Sequence, residues 1–161
     1  MCKAMPRTCA LLRATPLTYV KDGQAKLSQM RKGTIVRPHA GPTNARLRMH
    51  CALWVFKEGP EAATLRVGEH DAVHWRSGKC FVFDESYEHA VSTVGSSSSD
   101  DNTDDNNTRM VLIVDLVNPF LTSMEALREF GVSDEGWAVH RGALERAWTE
   151  AGAEGPGKGE L

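Results

Sequence analysis

The chain has 161 residues, 41% of them hydrophobic and 25% charged, which is typical of one soluble globular domain with a core. The formal net charge of −2 argues against a general nucleic-acid-binding protein. No apolar run approaches the roughly 18–20 residues that span a bilayer. Residues 1–16 (MCKAMPRTCALLRATP) also lack the apolar core and cleavage site of a signal peptide.

The cysteine content suggests a reducing environment. No CxxC pair occurs among the four cysteines, Cys2, Cys9, Cys51 and Cys80. Structural zinc sites and dense disulfide frameworks use closely spaced cysteines, so neither is predicted. A reducing compartment is therefore the default expectation. Because no membrane anchor is seen in the sequence, a cytoplasmic location is expected, whereas the oligomeric state stays open.

In chain order, residues 1–23 form an N-terminal segment with at most one short helix, Thr8 to Arg13, because Pro16 prevents its continuation. From residue 24 the chain changes to short strand-like runs separated by turns that contain glycine or proline. The candidate strands are 25–30, 34–39, 45–56, 63–68, 72–75, 80–84, 88–92 and 108–117. Many short strands with such turns predict a mainly β fold, a sandwich, barrel or jelly roll, over residues 24–121.

The last two candidate strands are separated by a low-complexity acidic segment. Residues 92–108 (STVGSSSSDDNTDDNNT) have almost no apolar surface to bury, which predicts a disordered surface loop whose role the sequence leaves open. Beyond it the period becomes helical, with one helix ending at Phe130 and a second beginning near Ser133. These C-terminal helices cover residues 122–151, and residues 152–161 are predicted to be a flexible tail.

Side chains alternate between two faces along the candidate strand 45–56. One face is basic: Arg46, Arg48 and His50. The other is apolar and is the expected core face: Leu47, Met49, Cys51 and Leu53. If the basic face lines a barrel mouth, it forms an anion site suited to a dicarboxylate, because arginine binds carboxylates in a bidentate manner. Spacing alone leaves open an exposed basic face with its charges satisfied.

Two histidines are candidates for a metal site. His39 lies before a tight turn, and His89 lies where a candidate strand begins. Non-haem iron sites usually add a carboxylate close to the first histidine, but Gly41 occupies that position in this chain. The remaining histidines are expected on the surface: His70, His74 and His140.

Three stretches carry a resemblance to a known family. Residues 38–50 (PHAGPTNARLRMH), 78–89 (GKCFVFDESYEH) and 109–122 (RMVLIVDLVNPFLT) resemble, in order and spacing, the aspartyl/asparaginyl β-hydroxylase family. The resemblance covers residues 25–122. It implies a double-stranded β-helix, or jelly roll, and an oxygenase that depends on Fe(II), 2-oxoglutarate and O2.

The resemblance also implies roles for individual residues. His39 and His89 match the iron ligands. The implied 2-oxoglutarate contacts are Ser28, Arg48, His50 and Arg109. Glycine at position 41 is shared with the family, so that two imidazoles hold the iron while cosubstrate, water and oxygen fill the other positions. A vacant ligand position would also suit chloride, as in iron halogenases. The acidic segment directly precedes Arg109, where the family has a shorter connection.

The implied reaction is hydroxylation of a C–H bond coupled to decarboxylation of 2-oxoglutarate. The implied substrate is the β-carbon of Asp or Asn in a peptide or protein, or else a lipid or small molecule. A non-catalytic jelly-roll binding module is the alternative, because the chain is short on its N-terminal side compared with the family. Asp84 and Glu85 are candidates for orienting the metal ligands or a substrate amine, or are solvated acids in a turn.

Overall fold

The computed structural model describes residues 3, 5–13, 23–56, 63–70, 72–92, 108–118 and 124–129, and isolated positions from 134 to 149. The chain divides into two compact units, residues 25–114 and residues 1–24 with 115–161. No helix within the described residues is both long and apolar enough to cross a membrane.

Residues 25–114 form a jelly roll. The described strands are β1 (Ala25–Arg31), β2 (Ile35–His39), β3 (Arg46–Val55), β4 (Thr64–Val67), β5 (Val73–His74), β6 (Cys80–Phe83), β7 (His89–Ser92) and β8 (Thr108–Val117). They form two four-stranded sheets, in the orders β1-β8-β3-β6 and β2-β7-β4-β5. Because the chain passes back and forth between two antiparallel sheets, the predicted mainly β jelly-roll fold is confirmed.

A small hydrophobic core lies between the inner faces of the two sheets. Its largest member is Trp75, which directly follows β5 and is fully buried. The other buried members come from four strands and one connection: Ala52, Val55, Ala63, Leu65, Val91, Val111 and Ile113. Most of these side chains are small or β-branched, which suits the pleated inner surface of a narrow barrel.

The strand β3 buries the opposite face from the one expected. Arg46 and His50 are 6% and 5% exposed, whereas Leu53 is 50% exposed. The predicted alternation is correct, but the assignment of the core face is wrong. The physical reason is that Glu85, which lies 39 residues after Arg46, supplies a buried carboxylate that pairs with the inward arginines. Burial of charge is tolerated where such a partner is present.

A disulfide joins β3 to β6 on the outer side of this sheet. Cys51 and Cys80 are direct partners in the strand register, and their sulfur atoms are bonded. Cys9 is also disulfide-bonded. Disulfides persist mainly in oxidising compartments. They therefore weigh against the expected reducing compartment, which remains an untested prediction.

The second unit is described at a few places. Its helices α1 (Pro6–Arg13) and α2 (Met124–Glu129) lie where short helices were expected. Within the same unit, Gln24 donates its backbone N–H to the Asp115 carboxylate over 3.0 Å. The expected loop 92–108 lies outside the described residues except for its ends, which close β7 and open β8. Most of the second C-terminal helix and the tail 152–161 also lie outside them, so these domain boundaries remain predictions.

Candidate functional site

The two candidate metal ligands face each other across the strand pair β2–β7. His39 and His89 are direct partners in the register, and their ring centroids are 4.2 Å apart with the planes tilted by 51°. A register shift between Val36 and His39 produces this match, because Val36 pairs with Val91 and an unbroken ladder would place Pro38 opposite His89. A β-bulge of this kind redirects a side chain, and proline suits it because it has no N–H for the ladder.

Each imidazole is held in the form that binds a metal through Nε2. The Nδ1 atom of His39 lies 2.9 Å from the carbonyl oxygen of Arg37, and Nδ1 of His89 lies 3.0 Å from that of Tyr87. A carbonyl oxygen can only accept, so Nδ1 is the donor in both rings. In a neutral imidazole the lone pair then lies on Nε2. This backbone orientation of both rings is typical of metal-binding histidines.

Close packing against Glu85 explains the glycine at position 41. The Gly41 N–H donates to the Glu85 carbonyl oxygen over 2.6 Å. A Cβ added to Gly41 would lie 2.7 Å from Cγ of Glu85 and 2.8 Å from its Cδ. There is consequently no room for a carboxylate side chain here. No cluster of three or more His, Cys, Asp or Glu that could hold a metal occurs within the described part of the chain.

We expect Gly41→Ala to lower the free energy of unfolding by about 1–3 kcal/mol, because Glu85 is buried and ion-paired and cannot move aside. Urea unfolding measures the change. Gly142→Ala is the matched control, since among the described residues its new methyl group would meet the end of the Arg146 side chain, at 3.5 Å. A further variant, Gly41→Asp, should also be destabilised and should bind Fe(II) no more tightly. A stable Gly41→Asp with tighter iron binding would contradict this account.

Glu85 is the acid that neutralises the basic inner face of β3. Its carboxylate accepts from Arg46 Nε at 2.5 Å and also pairs with Arg48. Glu85 is only 1% exposed, so the expectation of a solvated turn acid is wrong for this residue. Asp84 instead stabilises the turn, accepting from the Ser86 N–H over 2.9 Å. Glu85 thereby engages Arg48, one of the residues expected to bind the cosubstrate.

The other expected cosubstrate residues meet deeper in the barrel. His50 and Arg109 are both almost fully buried, and both pack on the indole of Trp75. Phe83 connects this group to the candidate ligand pair, because its ring lies 5.2 Å from that of His50 and 5.3 Å from that of His89. Ser28 is half-buried on β1, opposite Val111 and two residues from Met30, which contacts Arg109.

Several side-chain nitrogens of this buried group have no hydrogen-bond partner within the described residues. Within the described residues, no partner is found for either ring nitrogen of His50, for Trp75 Nε1, or for Arg109 Nε and NH1. Buried polar atoms are normally satisfied, so unpaired ones call for a ligand or water. Burial lowers the pKa of Arg109 to about 10, which leaves its guanidinium charged at neutral pH. The cluster therefore suits an anion that enters the barrel.

Burial lowers the pKa of His50 from 6.5 to about 3, assisted by its electrostatic interactions with Arg109, Arg48, His89 and Lys26. Its ring is therefore neutral in the folded protein at physiological pH. Below pH 6.5 the unfolded chain binds a proton at this histidine that the folded chain does not. The stabilisation present above pH 6.5 is consequently lost as the pH falls towards 3.

We expect His50→Gln to weaken the pH dependence of the free energy of unfolding, measured on the protein without metal or cosubstrate. The wild-type free energy of unfolding should fall more than that of the variant between pH 6.5 and pH 4, with an upper limit of about 5 kcal/mol over the full window. Denaturant titrations at each pH give the difference. The comparison cancels the carboxylates, which titrate in both proteins. Parallel curves for the two proteins would show that His50 is not the responsible group.

Sequence reasoning missed four features of the structure. Trp75 was assigned only to a strand, although a tryptophan beside short strands is a candidate for the core of a small barrel. The burial of Glu85 was also missed. So was the buried Nδ1 of His74, an expected surface residue, which has no hydrogen-bond partner within the described residues. Tyrosine and proline near the ligands gave no sign of the bulge. His70 is exposed as expected, and His140 lies outside the described residues.

The fold and site together define a jelly-roll protein with an opposed histidine pair and a buried basic pocket. Residues 1–119 match the family model described as aspartyl/asparaginyl beta-hydroxylase, and the chain belongs to this family. The human aspartyl/asparaginyl beta-hydroxylase is 41% identical over 125 residues, which cover 77% of this chain and 15% of that protein. The chain thus matches a small part of that relative.

Two further similarities concern a bacterial enzyme and a solved structure. The ornithine lipid ester-linked acyl 2-hydroxylase of Rhizobium tropici is 35% identical over 118 residues, 73% of this chain and 36% of that protein. The cupin domain of Cnp3 from Schizosaccharomyces pombe superposes with a TM-score of 0.43 at 11% identity, covering 68% of this chain and 63% of that one.

Proposed function

We propose that this chain is an oxygenase that uses Fe(II) and 2-oxoglutarate to hydroxylate a C–H bond. The observation that supports this most directly is the opposed pair His39 and His89, each with Nδ1–H bonded to a backbone carbonyl and Nε2 left to bind a metal. Neutral imidazole is a suitable ligand for ferrous iron. Bound iron and 2-oxoglutarate would supply the activation of O2, with the cosubstrate leaving as succinate and CO2.

The buried basic pocket supports the cosubstrate assignment. Arg109 would pair with one carboxylate of 2-oxoglutarate, and neutral His50 would donate a hydrogen bond from one ring nitrogen. Ser28 and Arg48 would add further contacts, the latter in competition with Glu85. A dicarboxylate fits a site whose unpaired atoms include two of the arginine nitrogens.

The same residues would exclude water from the reaction. His50, Trp75 and Arg109 are at most 5% exposed, and the apolar ring of Phe83 packs against both His50 and His89. A dry pocket strengthens the charge pairing of the cosubstrate and protects reactive species from side reactions. His39, in contrast, is exposed, so the metal site would open towards the solvent, where a substrate can enter.

For the substrate we propose the β-carbon of an Asp or Asn residue in a peptide or protein. The similarity to the human aspartyl/asparaginyl beta-hydroxylase supports this choice. The similarity to the acyl 2-hydroxylase of Rhizobium tropici supports a lipid as the second candidate. Peptides that contain Asp or Asn and acylated lipids should therefore be compared, with mass spectrometry detecting a gain of one oxygen atom.

A turnover assay tests the oxygenase without knowledge of the substrate. Purified protein with Fe(II), ascorbate, O2 and 2-oxoglutarate should form succinate even without a primary substrate, because uncoupled turnover requires only the metal and cosubstrate. A non-catalytic jelly-roll module could bind 2-oxoglutarate but would release no succinate. Absence of succinate both alone and with the two substrate classes would contradict the proposal.

A further inference from the structure

The guanidinium of Arg109 has an unusual set of neighbours for a buried charge. One nitrogen, NH2, contacts the sulfur of Met30 at 2.7 Å, and thioether sulfur is a weak acceptor. Nε and NH1 have no partner within the described residues. A buried arginine normally pairs with a carboxylate, whereas within the described residues a different kind of group lies against this one.

Trp75 is that group. The central carbon of the guanidinium lies 3.9 Å from the centre of the indole ring, which is within the range of a cation–π contact. Trp75 follows β5 in one sheet, whereas Arg109 lies on β8 in the other. The contact therefore fixes the arginine across the barrel interior. The indole itself is fully buried and packs against Phe81, with ring centroids 5.6 Å apart.

The contact with Trp75 leaves Nε and NH1 of Arg109 without a partner within the described residues, so an edge of the guanidinium is available to a ligand. An indole contacts the flat face of a guanidinium, whereas a carboxylate binds in its plane through parallel N–H bonds. Contact with Trp75 therefore does not compete with an incoming carboxylate. The same indole stacks at 5.8 Å and 21° on His50, the second expected cosubstrate residue. One side chain thus contacts both groups.

We propose that Trp75 is a positioning residue that holds Arg109 for the distal carboxylate of a five-carbon 2-oxo acid. It thereby makes the pocket selective for a 2-oxo dicarboxylate over a 2-oxo monocarboxylate. This inference rests on the proposed function and adds the specificity determinant of the same site. Trp75 acts through Arg109, so its contribution is present only when both the arginine and the distal carboxylate are present.

Calorimetry with two ligands tests this role. Anaerobic protein loaded with Fe(II) is titrated with 2-oxoglutarate and with 2-oxopentanoate, which has the same length and lacks the distal carboxylate. Trp75→Leu should raise the Kd for 2-oxoglutarate about 10-fold and change that for 2-oxopentanoate less than about 2-fold. Trp75→Phe, which keeps an aromatic face in a smaller ring, should fall between wild type and Trp75→Leu.

A double variant distinguishes positioning from a purely structural role. Trp75→Leu combined with Arg109→Met should bind 2-oxoglutarate no more weakly than Arg109→Met alone, because the indole has lost the group through which it acts. Equal losses for both 2-oxo acids in the Trp75 variants, or additive losses in the double variant, would overturn the inference. Should Trp75→Leu fail to fold, Trp75→Phe carries the same comparison.

Ligand binding by the wild type distinguishes a failure of the proposed function from a failure of the role of Trp75. If the Fe(II)-loaded wild type fails to bind 2-oxoglutarate, the proposed function fails. If the wild type binds 2-oxoglutarate and discriminates against 2-oxopentanoate, but the Trp75 variants discriminate equally well, only the role of Trp75 fails. Phe56→Leu serves as the matched control, because this exposed aromatic residue should affect neither ligand.

Discussion

His39→Ala and His89→Ala should each reduce succinate formation by more than about 100-fold, since even groups that merely orient a metal ligand are worth about 10–100-fold. Two imidazoles are the only protein ligands proposed for the iron, so the loss of either leaves a single one. Fe(II) affinity, measured by anaerobic calorimetry, should fall in parallel with turnover. This pairing of readouts links the loss of activity to the metal.

His70→Ala is the matched control for these two variants. His70 is exposed in the turn after β4, and its backbone N–H bonds the Val67 carbonyl at 3.1 Å, a contact that the substitution retains. Its turnover and iron affinity should equal those of the wild type. If His89→Ala kept its iron affinity while folded, the opposed histidine pair would not be the metal site, and the proposed function would lose its main support.

Arg109→Met should weaken 2-oxoglutarate binding about 10–100-fold, the equivalent of the 1.5–3 kcal/mol of a hydrogen bond to a charged group. The same change should alter Fe(II) affinity less than about 2-fold, because Arg109 is not one of the proposed metal ligands and packs on Trp75 and Met30 instead. Methionine keeps an apolar stem over the indole, which limits the loss of packing. Calorimetry with metal and cosubstrate separates the two affinities.

Arg66→Met gives the control for removing a positive charge. Arg66 is exposed on β4, between the inward side chains Leu65 and Val67, so it points away from the barrel interior. Its loss should leave both affinities unchanged. An equal decrease of iron and 2-oxoglutarate affinity in Arg109→Met would indicate general damage to the barrel and would contradict a specific role in cosubstrate binding.

Local patterns in the sequence were sufficient to predict the positions of the strands and the separation of a basic face from an apolar face on β3. Period-two alternation separated Arg46, Arg48 and His50 from their apolar neighbours, and the structure retains that separation. Turn residues delimited the strands, and eight candidate runs correspond to the eight strands described. Such features depend on residues close in the chain, which is why sequence alone could predict them.

The direction in which a face points was not predictable in the same way. An arginine-rich face is expected to be exposed to water unless a residue distant in the chain neutralises its charge. Glu85 does so from a turn between β6 and β7. The bulge that brings His39 opposite His89 likewise depends on the pairing of two strands. Neither feature has a local signature, because each arises only when distant segments meet.

The amino-acid sequence by itself determined the mainly β character of the chain, the positions of its strands along the chain and the residue types available for metal and anion binding. Only the tertiary structure decided that Gly41 packs against Glu85, that Cys51 meets Cys80, and that Trp75 supports Arg109 across the barrel. The reason is physical: alternation and turn propensity operate within a few residues, whereas steric fit, charge compensation and ring stacking require side chains that the fold first has to bring together.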